Sequence, residues 1–483
     1  MNNKVKKIYN YIDDNLEEHV NNFQNLLRQP SVSYPFPTGY GIKECVVMIK
    51  GYLQRLGCKG VEAIKTREES HPVIYGEYDA GADATLIIYH MYDTKPVVPQ
   101  DWTLGKPFDA DLVDIPPYGR CIVARGAINS KGPLRAFLNA LESIKAVDEE
   151  LTVNLKFVIE GEEEMGSASV ALFVNRYVDR LRDADGVWMP MANSSGRINL
   201  GGKGEVFLEM ECAGEHWGKG PIKHVIHGSN KAWVDNPVWR MIHALATMTS
   251  KDGNKVLIDG FYDEIIEPSE EDIRIIDRLV ERFNEEETKN AMGVKSLIDD
   301  AHAKDVIMKY CYSPTLNIEG IFGGYLGEGW KNIVPHRATC RLNCMLVPNQ
   351  DIEALFPKIR KHLDEHGYWD IKLSMRNDKP DGNWWRTDLD SDLVKAVVQT
   401  YKSFDIEPEI WPLMGGFAPF YLFTSKPLNL PLVLAGLGHG GNAHAPDEYF
   451  VIDGTDKVKG LADCEKSYVA MLYNFARIAR DKK

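Results

Sequence analysis

Short apolar segments that alternate with helical segments are the feature that most constrains the fold of this chain. Thr85 to Tyr89 is almost wholly apolar, and Leu151 to Ile159 alternates and is rich in β-branched residues, so both are predicted to be strands. A strand without a polar face is typical of a sheet covered on both sides. Because such strands alternate with helices, we predict an α/β fold with a mostly parallel sheet and a site at the carboxyl ends of its strands.

The pattern changes after Gly201-Gly202, where strands become alternating and are separated by only a few helices. Residues 205–212 and 338–347 are predicted strands of an antiparallel sheet, and a helix is predicted over 351–366. Residues 377–385, NDKPDGNWW, are predicted to form the return linker. The predicted organisation is a catalytic domain of residues 1–198 and 379–483, interrupted by an inserted α+β domain of residues 199–378.

Composition excludes several functional classes. Lys and Arg total 56 against 70 Asp and Glu, a net charge of −14, which disfavours nucleic acid as a partner. The eight cysteines include no CxxC pair, so neither a disulfide framework nor a zinc finger is expected. No apolar run approaches the length of a membrane span, and the first residues form a polar helical pattern. We therefore expect a soluble, cytoplasmic protein without a membrane partner.

The sequence EGEEEMGS, residues 160–167, follows the predicted strand that ends at Ile159. Adjacent carboxylates at the end of a strand can divide two roles, since Glu164 could bind a metal while Glu163 moves a proton between water and a leaving amine. A solvated acidic turn is the alternative, and the local sequence alone favours it. The rest of the chain favours the catalytic interpretation.

Several further motifs accompany this acidic loop in a specific order, and together they resemble the aminoacylase and carnosine-dipeptidase family of di-zinc metallopeptidases. The likeness covers nearly the whole chain, and its central part is most similar to the dipeptidase branch. The resemblance implies a zinc-peptidase-like α/β catalytic domain with an inserted lid that forms a homodimer. The motifs are DTKPV from Asp93, WTLGKPF at 102–108, RGAINSKGP at 125–133, DGFYDEIIEPSEED at 259–272, SPTLNIEGIFGGYLGEG at 313–329, NIVP at 332–335, LVPNQD at 346–351 and NAHAPDE at 442–448.

The resemblance also implies a set of metal ligands, and this chain retains only part of it. Glu163 falls on the family's general base, Glu164 on a metal ligand and His444 on the second site's His. Asn129 falls on the Asp that bridges the two zincs, and Met91 falls on a zinc-binding His. The last Asp of the family falls on Met191 or Ala192, and Asp93 keeps the place of the Asp that orients the lost His.

His90 lies one residue from the expected zinc ligand. A shift of one residue along a strand points a side chain to the opposite face, so we expect His90 to be a packed or hydrogen-bonded core residue unless the strand ends in a bulge. The expected centre is therefore depleted. It would hold one Zn²⁺ or another divalent ion on Glu164, His444 and Asn129, or no metal at all.

Without a metal, the charges of Glu163 and Glu164 would repel each other and raise the pKa of one of them.

The substrate-binding residues implied by the resemblance are altered as well. His227, with His224 as a rival, matches the lid His, and Asn332 matches a position where Asn or Thr is used. Met345 replaces an Arg that binds the substrate carboxylate, and Phe417, after Gly416, replaces a Ser. Replacing an Arg by Met removes a bidentate carboxylate clamp and leaves an apolar wall.

Two classes of function follow from these observations. The first is an amidohydrolase that acts on an amide or peptide-like bond of a small molecule, with Glu163 as general base and His227 stabilising the oxyanion. The second is a metal-independent enzyme of the same fold that forms amides or runs another conversion, or a non-catalytic paralogue kept for binding or assembly. The intact Glu163, Glu164 and His444 favour the enzyme, whereas the lost ligands favour the paralogue.

Overall fold

The chain divides into two compact units in a computed structural model that describes residues 3–147, 149–376 and 382–481. Unit 1 contains the described residues up to Leu200, Thr387–Ile410 and the described residues from Leu422 onward. Unit 2 contains the described residues of Gly201–Arg386 together with Trp411–Tyr421, a segment that the sequence pattern assigns to the catalytic domain. Residues 377–381 of the predicted linker lie outside the described residues.

The helices and strands begin and end as follows. The helices are α1 (Asn3–Asp14), α2 (Leu16–Arg28), α3 (Ile42–Leu56), α4 (Lys131–Ala146), α5 (Ala168–Arg176), α6 (Val178–Leu181), α7 (Gly214–Trp217), α8 (Pro237–Met248), α9 (Glu270–Val280), α10 (Glu285–Met292), α11 (Ala303–Tyr312), α12 (Ile352–Glu365), α13 (Asp392–Ser403), α14 (Tyr421–Thr424) and α15 (Leu461–Arg480). The strands are β1 (Lys59–Ile64), β2 (Val73–Tyr78), β3 (Thr85–Met91), β4 (Asp111–Ile115), β5 (Gly119–Val123), β6 (Asn154–Glu160), β7 (Gly186–Asn193), β8 (Arg197–Asn199), β9 (Gly201–Gly202), β10 (Gly204–Ala213), β11 (Ile226–His227), β12 (Thr315–Gly323), β13 (Ile333–Val334), β14 (Arg337–Leu346), β15 (Lys372–Met375), β16 (Trp385–Arg386), β17 (Glu409–Trp411), β18 (Leu432–Leu437), β19 (Gly440–Gly441) and β20 (Tyr449–Val451).

The main sheet of unit 1 has the strand order β1-β2-β6-β3-β7-β18. Strand β3 runs parallel to both β6 and β7, and β18 runs parallel to β7. Strands β1 and β2 form an antiparallel edge. The mostly parallel α/β sheet predicted from the sequence is therefore confirmed. The predicted end of β3 at Tyr89 is wrong, because the strand continues to Met91.

Aromatic side chains connect the central strands to the helices that cover them. Phe137 of α4 makes edge-on contacts with Trp188 of β7 and Tyr468 of α15, at ring-centroid distances of 5.2 and 5.8 Å. All three are fully buried, and each such pair contributes about 0.5–1.5 kcal/mol beyond the burial of its area. This packing fixes α4 against the sheet and thereby the loop that precedes α4.

A second, antiparallel sheet of unit 1 has the order β19-β20-β5-β4. Tyr449 of β20 pairs with Val123 of β5. This register places the end of the loop 442–448 beside the start of the loop 124–130. Two segments that are distant in sequence are thus held next to each other.

The polar helical pattern at the start of the sequence forms two helices, α1 and α2. The backbone leaves the helical region at Asn15, where φ is −114° and ψ is 19°. The Asn15 Nδ2 donates to the carbonyl of Tyr11 at 2.8 Å. An asparagine that bonds its own backbone in this way competes with the helix, and apolar spacing alone does not reveal it.

Unit 2 is built on an antiparallel sheet of order β12-β14-β10-β15. Alternate residues of β10 are buried. They pack with residues of α8 and α12, including Met241, Leu355 and Ile359, in one apolar core. The two cysteines of β14, Cys340 and Cys344, point into this core, so they are packing residues rather than metal ligands.

Two further features concern the length of the helices and the state of the cysteines. No helix within the described ranges is both long and apolar enough to cross a membrane. The eight cysteines, all within the described residues, form no disulfide bond, and all but Cys58 are buried.

Candidate active site

The acidic loop and the segment after β3 are joined through Asp93. Its carboxylate is fully buried and accepts hydrogen bonds from the backbone N–H groups of Glu163 and Glu164, at 3.2 and 3.1 Å. Burial, together with the charges of Glu163 and Glu164, raises the pKa of Asp93 well above its usual value. Asp93 therefore holds the loop that carries both glutamates.

His90 and Met91 at the end of β3 are both buried. The His90 Nδ1 accepts from the N–H of Met91 at 3.0 Å, and its Nε2 lies 3.1 Å from the carbonyl of Pro190. Burial lowers the pKa of His90 to about 4. His90 is thus a neutral, hydrogen-bonded core residue.

Glu163 lies in a single 3₁₀ turn, Glu163–Met165, that ends at Gly166 with φ 97°. Such a positive φ is readily adopted only by glycine, so Gly166 lets the chain turn directly after the carboxylates. Burial and the negative charge of Glu164 raise the pKa of Glu163 to about 7, although Lys95 and His444 act in the opposite direction. Glu163 can therefore exchange a proton near neutral pH.

Glu164 is buried and lies among three nitrogen groups. Its Oε1 is 2.9 Å from both the Asn129 Nδ2 and the His444 Nε2. Its Oε2 lies 3.1 Å from the Lys95 Nζ. Burial raises the pKa of Glu164, but the hydrogen bond and charge of His444 and the charge of Lys95 outweigh it, so the pKa is lowered. The carboxylate is therefore ionised.

Asn129 and His444 also contact each other, with 2.8 Å between the Asn129 Nδ2 and the His444 Nε2. One Nε2 cannot donate to Glu164 and accept from Asn129 at once, so these contacts depend on the protonation of His444 and the orientation of the amide. The hydrogen bond to Glu164 raises the pKa of His444 despite partial burial. We therefore assign the Nε2–H as the donor to Glu164.

Glu448 has a structural role that the sequence pattern does not reveal. Its Oε1 accepts from the N–H groups of Ile128 and Asn129, at 3.0 and 2.9 Å. Its Oε2 accepts from the N–H of Gly126 at 2.9 Å and from the Arg125 Nη1 at 2.7 Å. This single buried carboxylate holds the loop that presents Asn129. Its only sequence signal was its place in the NAHAPDE motif.

Lys95 was missed as well, although it lies in the DTKPV motif. Its Nζ donates to the backbone carbonyl of Glu164 at 2.7 Å, in addition to its contact with the carboxylate. In sequence, a lysine after an acidic residue is typical of a solvated loop. Its contact with Glu164 depends on β3 and β6 being neighbours in the sheet.

The donor set does not fit a zinc pair. Within residues 3–147, 149–376 and 382–481, no group of three or more His, Cys, Asp and Glu side chains is arranged to hold a metal ion. Glu164 and His444 both contact Asn129, whose amide brings no charge. Met191, one of the two positions where the resemblance implies an Asp, has only a thioether, whose sulfur lies 3.9 Å from the Ser130 Oγ. Zinc sites need three or four firm ligands, so these residues offer too few.

The predicted substrate residues lie in unit 2. His227 of β11 and Asn332 are neighbours, because the N–H of Gly228 donates to the Asn332 carbonyl at 2.9 Å. Met345 is half-buried on β14 opposite Glu205. The Gly416 carbonyl accepts from the N–H of Lys203 at 3.2 Å, and Phe417 lies beside Tyr421. Their roles in substrate binding stay predictions.

Comparison with known proteins supports the resemblance drawn from the motifs. Over residues 89–474 the chain matches the model of peptidase family M20/M25/M40. It is 26% identical to the human Beta-Ala-His dipeptidase over 75% of this chain and 71% of that protein. It is 25% identical to the Cys-Gly metallodipeptidase DUG1 of Candida albicans over 82% of this chain and 81% of that protein.

A solved structure is similar over nearly the whole chain. The M20 family metallo-carboxypeptidase Sso-CP2 from Sulfolobus solfataricus is 32% identical, with a TM-score of 0.80. The likeness covers 96% of this chain and 99% of that one. The expected family and enzyme class are confirmed, and the chain belongs to peptidase family M20/M25/M40.

Proposed function

We propose that this chain hydrolyses an amide or peptide-like bond of a small molecule, with Glu163 as the general base and a depleted metal centre. The observation that carries the proposal is the half-buried Glu163 carboxyl, whose pKa of about 7 suits proton transfer near neutral pH. The dipeptidase names of the relatives support the reaction class.

The reaction needs one proton to move twice. The Glu163 carboxylate takes a proton from water as the water oxygen attacks the carbonyl carbon, and the carbonyl π electrons move to oxygen. The protonated Glu163 then gives this proton to the leaving nitrogen as the C–N bond breaks, which yields an acid and an amine. The sequence prediction that His227 stabilises the oxyanion is part of the proposal.

The substrate class follows from Met345, which stands where the family resemblance implies an arginine. A thioether side chain cannot bind a carboxylate as a guanidinium does. We therefore propose that the preferred substrates lack a free carboxylate at that position or place an apolar group there. Dipeptide amides and N-acyl amines are the probes that distinguish this preference from that of an ordinary dipeptidase.

The test is a panel of dipeptides, the matching dipeptide amides and N-acyl amines, with release of free amine measured for wild type and Glu163→Gln. We expect turnover of blocked substrates by the wild type. Since general acid–base catalysis contributes about 10²–10⁴-fold, we expect at least that loss in the variant.

Glu44→Gln, at an exposed position of α3, is the matched control and should retain wild-type turnover. No turnover across the panel, or full turnover by Glu163→Gln, would rule out the proposed reaction.

A further inference from the structure

The buried Glu164 carboxylate is already neutralised by a side chain of this protein. The Glu164 side chain is 2% exposed. The Lys95 Nζ lies 3.1 Å from the Glu164 Oε2 and 2.7 Å from the Glu164 backbone carbonyl oxygen. Burying a carboxylate is costly unless an opposite charge or a metal accompanies it. Lys95 supplies that charge from the segment directly after β3.

Both oxygens of Glu164 are bonded to nitrogen donors. Lys95 contacts Oε2, whereas His444 and Asn129 contact Oε1. A divalent ion would have to displace these contacts and would lie beside an ammonium group, and charges of the same sign repel at such distances. Both oxygens of Glu164 therefore already have partners within the chain, and neither is left to bind a metal ion.

We propose that the Lys95 ammonium replaces the charge of a zinc ion at Glu164, so that this centre is held together by a built-in cation. Lys95 acts through Glu164 and is therefore a positioning residue. The inference rests on the proposed function only in taking Glu164 as the counterpart of a metal ligand. Its test measures zinc binding and requires no turnover.

The replacement has a second effect on the neighbouring carboxylate. Glu163 and Glu164 are adjacent carboxylates of the same charge, and the Lys95 ammonium beside Glu164 counters their repulsion. A cation held at this position thus keeps the two adjacent acids compatible, as a metal would. Lys95 is 36% exposed at its side chain, so it can be replaced without opening the core.

The decisive comparison uses two double variants that differ in charge at one position. Asn129→Asp supplies a third firm ligand, and it is combined with Lys95→Gln, which removes the cation, or with Lys95→Arg, which keeps it. Zinc binding is measured by calorimetry, zinc content is counted after gel filtration, and folding is checked by circular dichroism. We expect the Gln variant to bind one zinc about 10–100-fold more tightly than the Arg variant, as expected for a group beside the ligand.

The wild type should retain only substoichiometric zinc under the same conditions. The proposal is overturned if the wild type retains one or two zinc ions per chain, or if the two double variants bind zinc equally. Should the double variants fail to fold, Lys95→Gln and Lys95→Arg alone are compared by urea unfolding at pH 7, where loss of the cation beside the buried Glu164 carboxylate should make the Gln variant less stable than the Arg variant. Equal stability of these two variants would likewise overturn the proposal.

Discussion

Glu163 and Glu164 are adjacent carboxylates whose surroundings move their pKa values in opposite directions. Burial and the charge of Glu164 raise the pKa of Glu163 to about 7. For Glu164, His444 and Lys95 outweigh the effect of burial and lower the pKa. A pair of acids with separated pKa values is the usual basis for dividing chemical roles. Glu164 remains charged, while Glu163 is free to carry the proton.

The first prediction at this scale concerns pH. A general base works only when deprotonated, so kcat/KM should rise about tenfold per pH unit below the pKa of Glu163 and level off above it. With a pKa of about 7, the profile should bend near neutral pH. The measurement is the pH dependence of kcat/KM on the best substrate of the panel. A bend near pH 4.5, the ordinary value for Glu, would contradict the assignment.

The second prediction concerns stability. Because the folded-state pKa of Glu163 is raised from 4.5 to about 7, the folded state binds more protons between these values, and stability is lost as the pH rises through this window. Glu163→Gln removes that loss, since Gln has no charge to bury. We expect the variant to be about 1–3 kcal/mol more stable than wild type at pH 8 and equally stable at pH 4.

Urea unfolding at the two pH values measures this difference, with Glu44→Gln as the control that should show none. A variant that is less stable than wild type at pH 8 would contradict a raised pKa of the half-buried Glu163 carboxyl.

At the scale of elements, the site depends on loops that the two sheets of unit 1 hold in place. Asp93 follows β3, Glu163 follows β6, and Asn129 precedes α4. Glu448 precedes β20 and binds the loop of Asn129 through three backbone N–H groups and Arg125. The apolar and alternating patterns could predict these strands, because burial fixes their periodicity. We call these bonds of Glu448 to Arg125 and the loop of Asn129 the Glu448 clamp. The patterns could not predict the clamp, since it joins segments that only the register of β5 and β20 brings together.

A prediction at this scale tests the clamp. Removing one partner of a buried ion pair costs about 3–5 kcal/mol. Glu448→Gln keeps one acceptor oxygen but leaves Arg125 without its charge partner, so we expect a loss of about 2–4 kcal/mol in the free energy of unfolding.

Urea unfolding at pH 7 measures the loss. Asp453→Asn is the control, because Asp453 pairs with Arg120 at the surface, and such pairs are worth about 0–1 kcal/mol. Equal effects of the two variants would mean that Glu448 is no clamp.

At the scale of the whole molecule, the order and spacing of the motifs indicated the family and the α/β fold. Asn129, Glu164 and His444 are 315 residues apart at the extremes, yet the motifs containing them implied that they meet. Lys95 could not be recognised in this way, because its role depends on which oxygen of Glu164 it reaches. The break between α1 and α2 at Asn15 is likewise invisible in the sequence pattern, since apolar spacing continues across it.

A homodimer is predicted at this scale from the resemblance of the inserted domain to a dimerisation lid. Unit 2 exposes large apolar side chains on edge strand β12, including Ile318, Ile321 and Phe322, as expected of a surface that another protein covers. Light scattering coupled to gel filtration should give twice the chain mass of 54.5 kDa. A mass of one chain at all concentrations would contradict the prediction.

The central claim has two parts: this chain hydrolyses an amide with Glu163 as the general base, and the Lys95 ammonium, rather than a zinc ion, balances the charge of Glu164. The most direct test is kcat/KM for the best substrate before and after dialysis against a strong zinc chelator, with metal counted in the same samples. We predict substoichiometric metal and an unchanged kcat/KM. Loss of turnover on chelation, restored by adding zinc, would contradict the account.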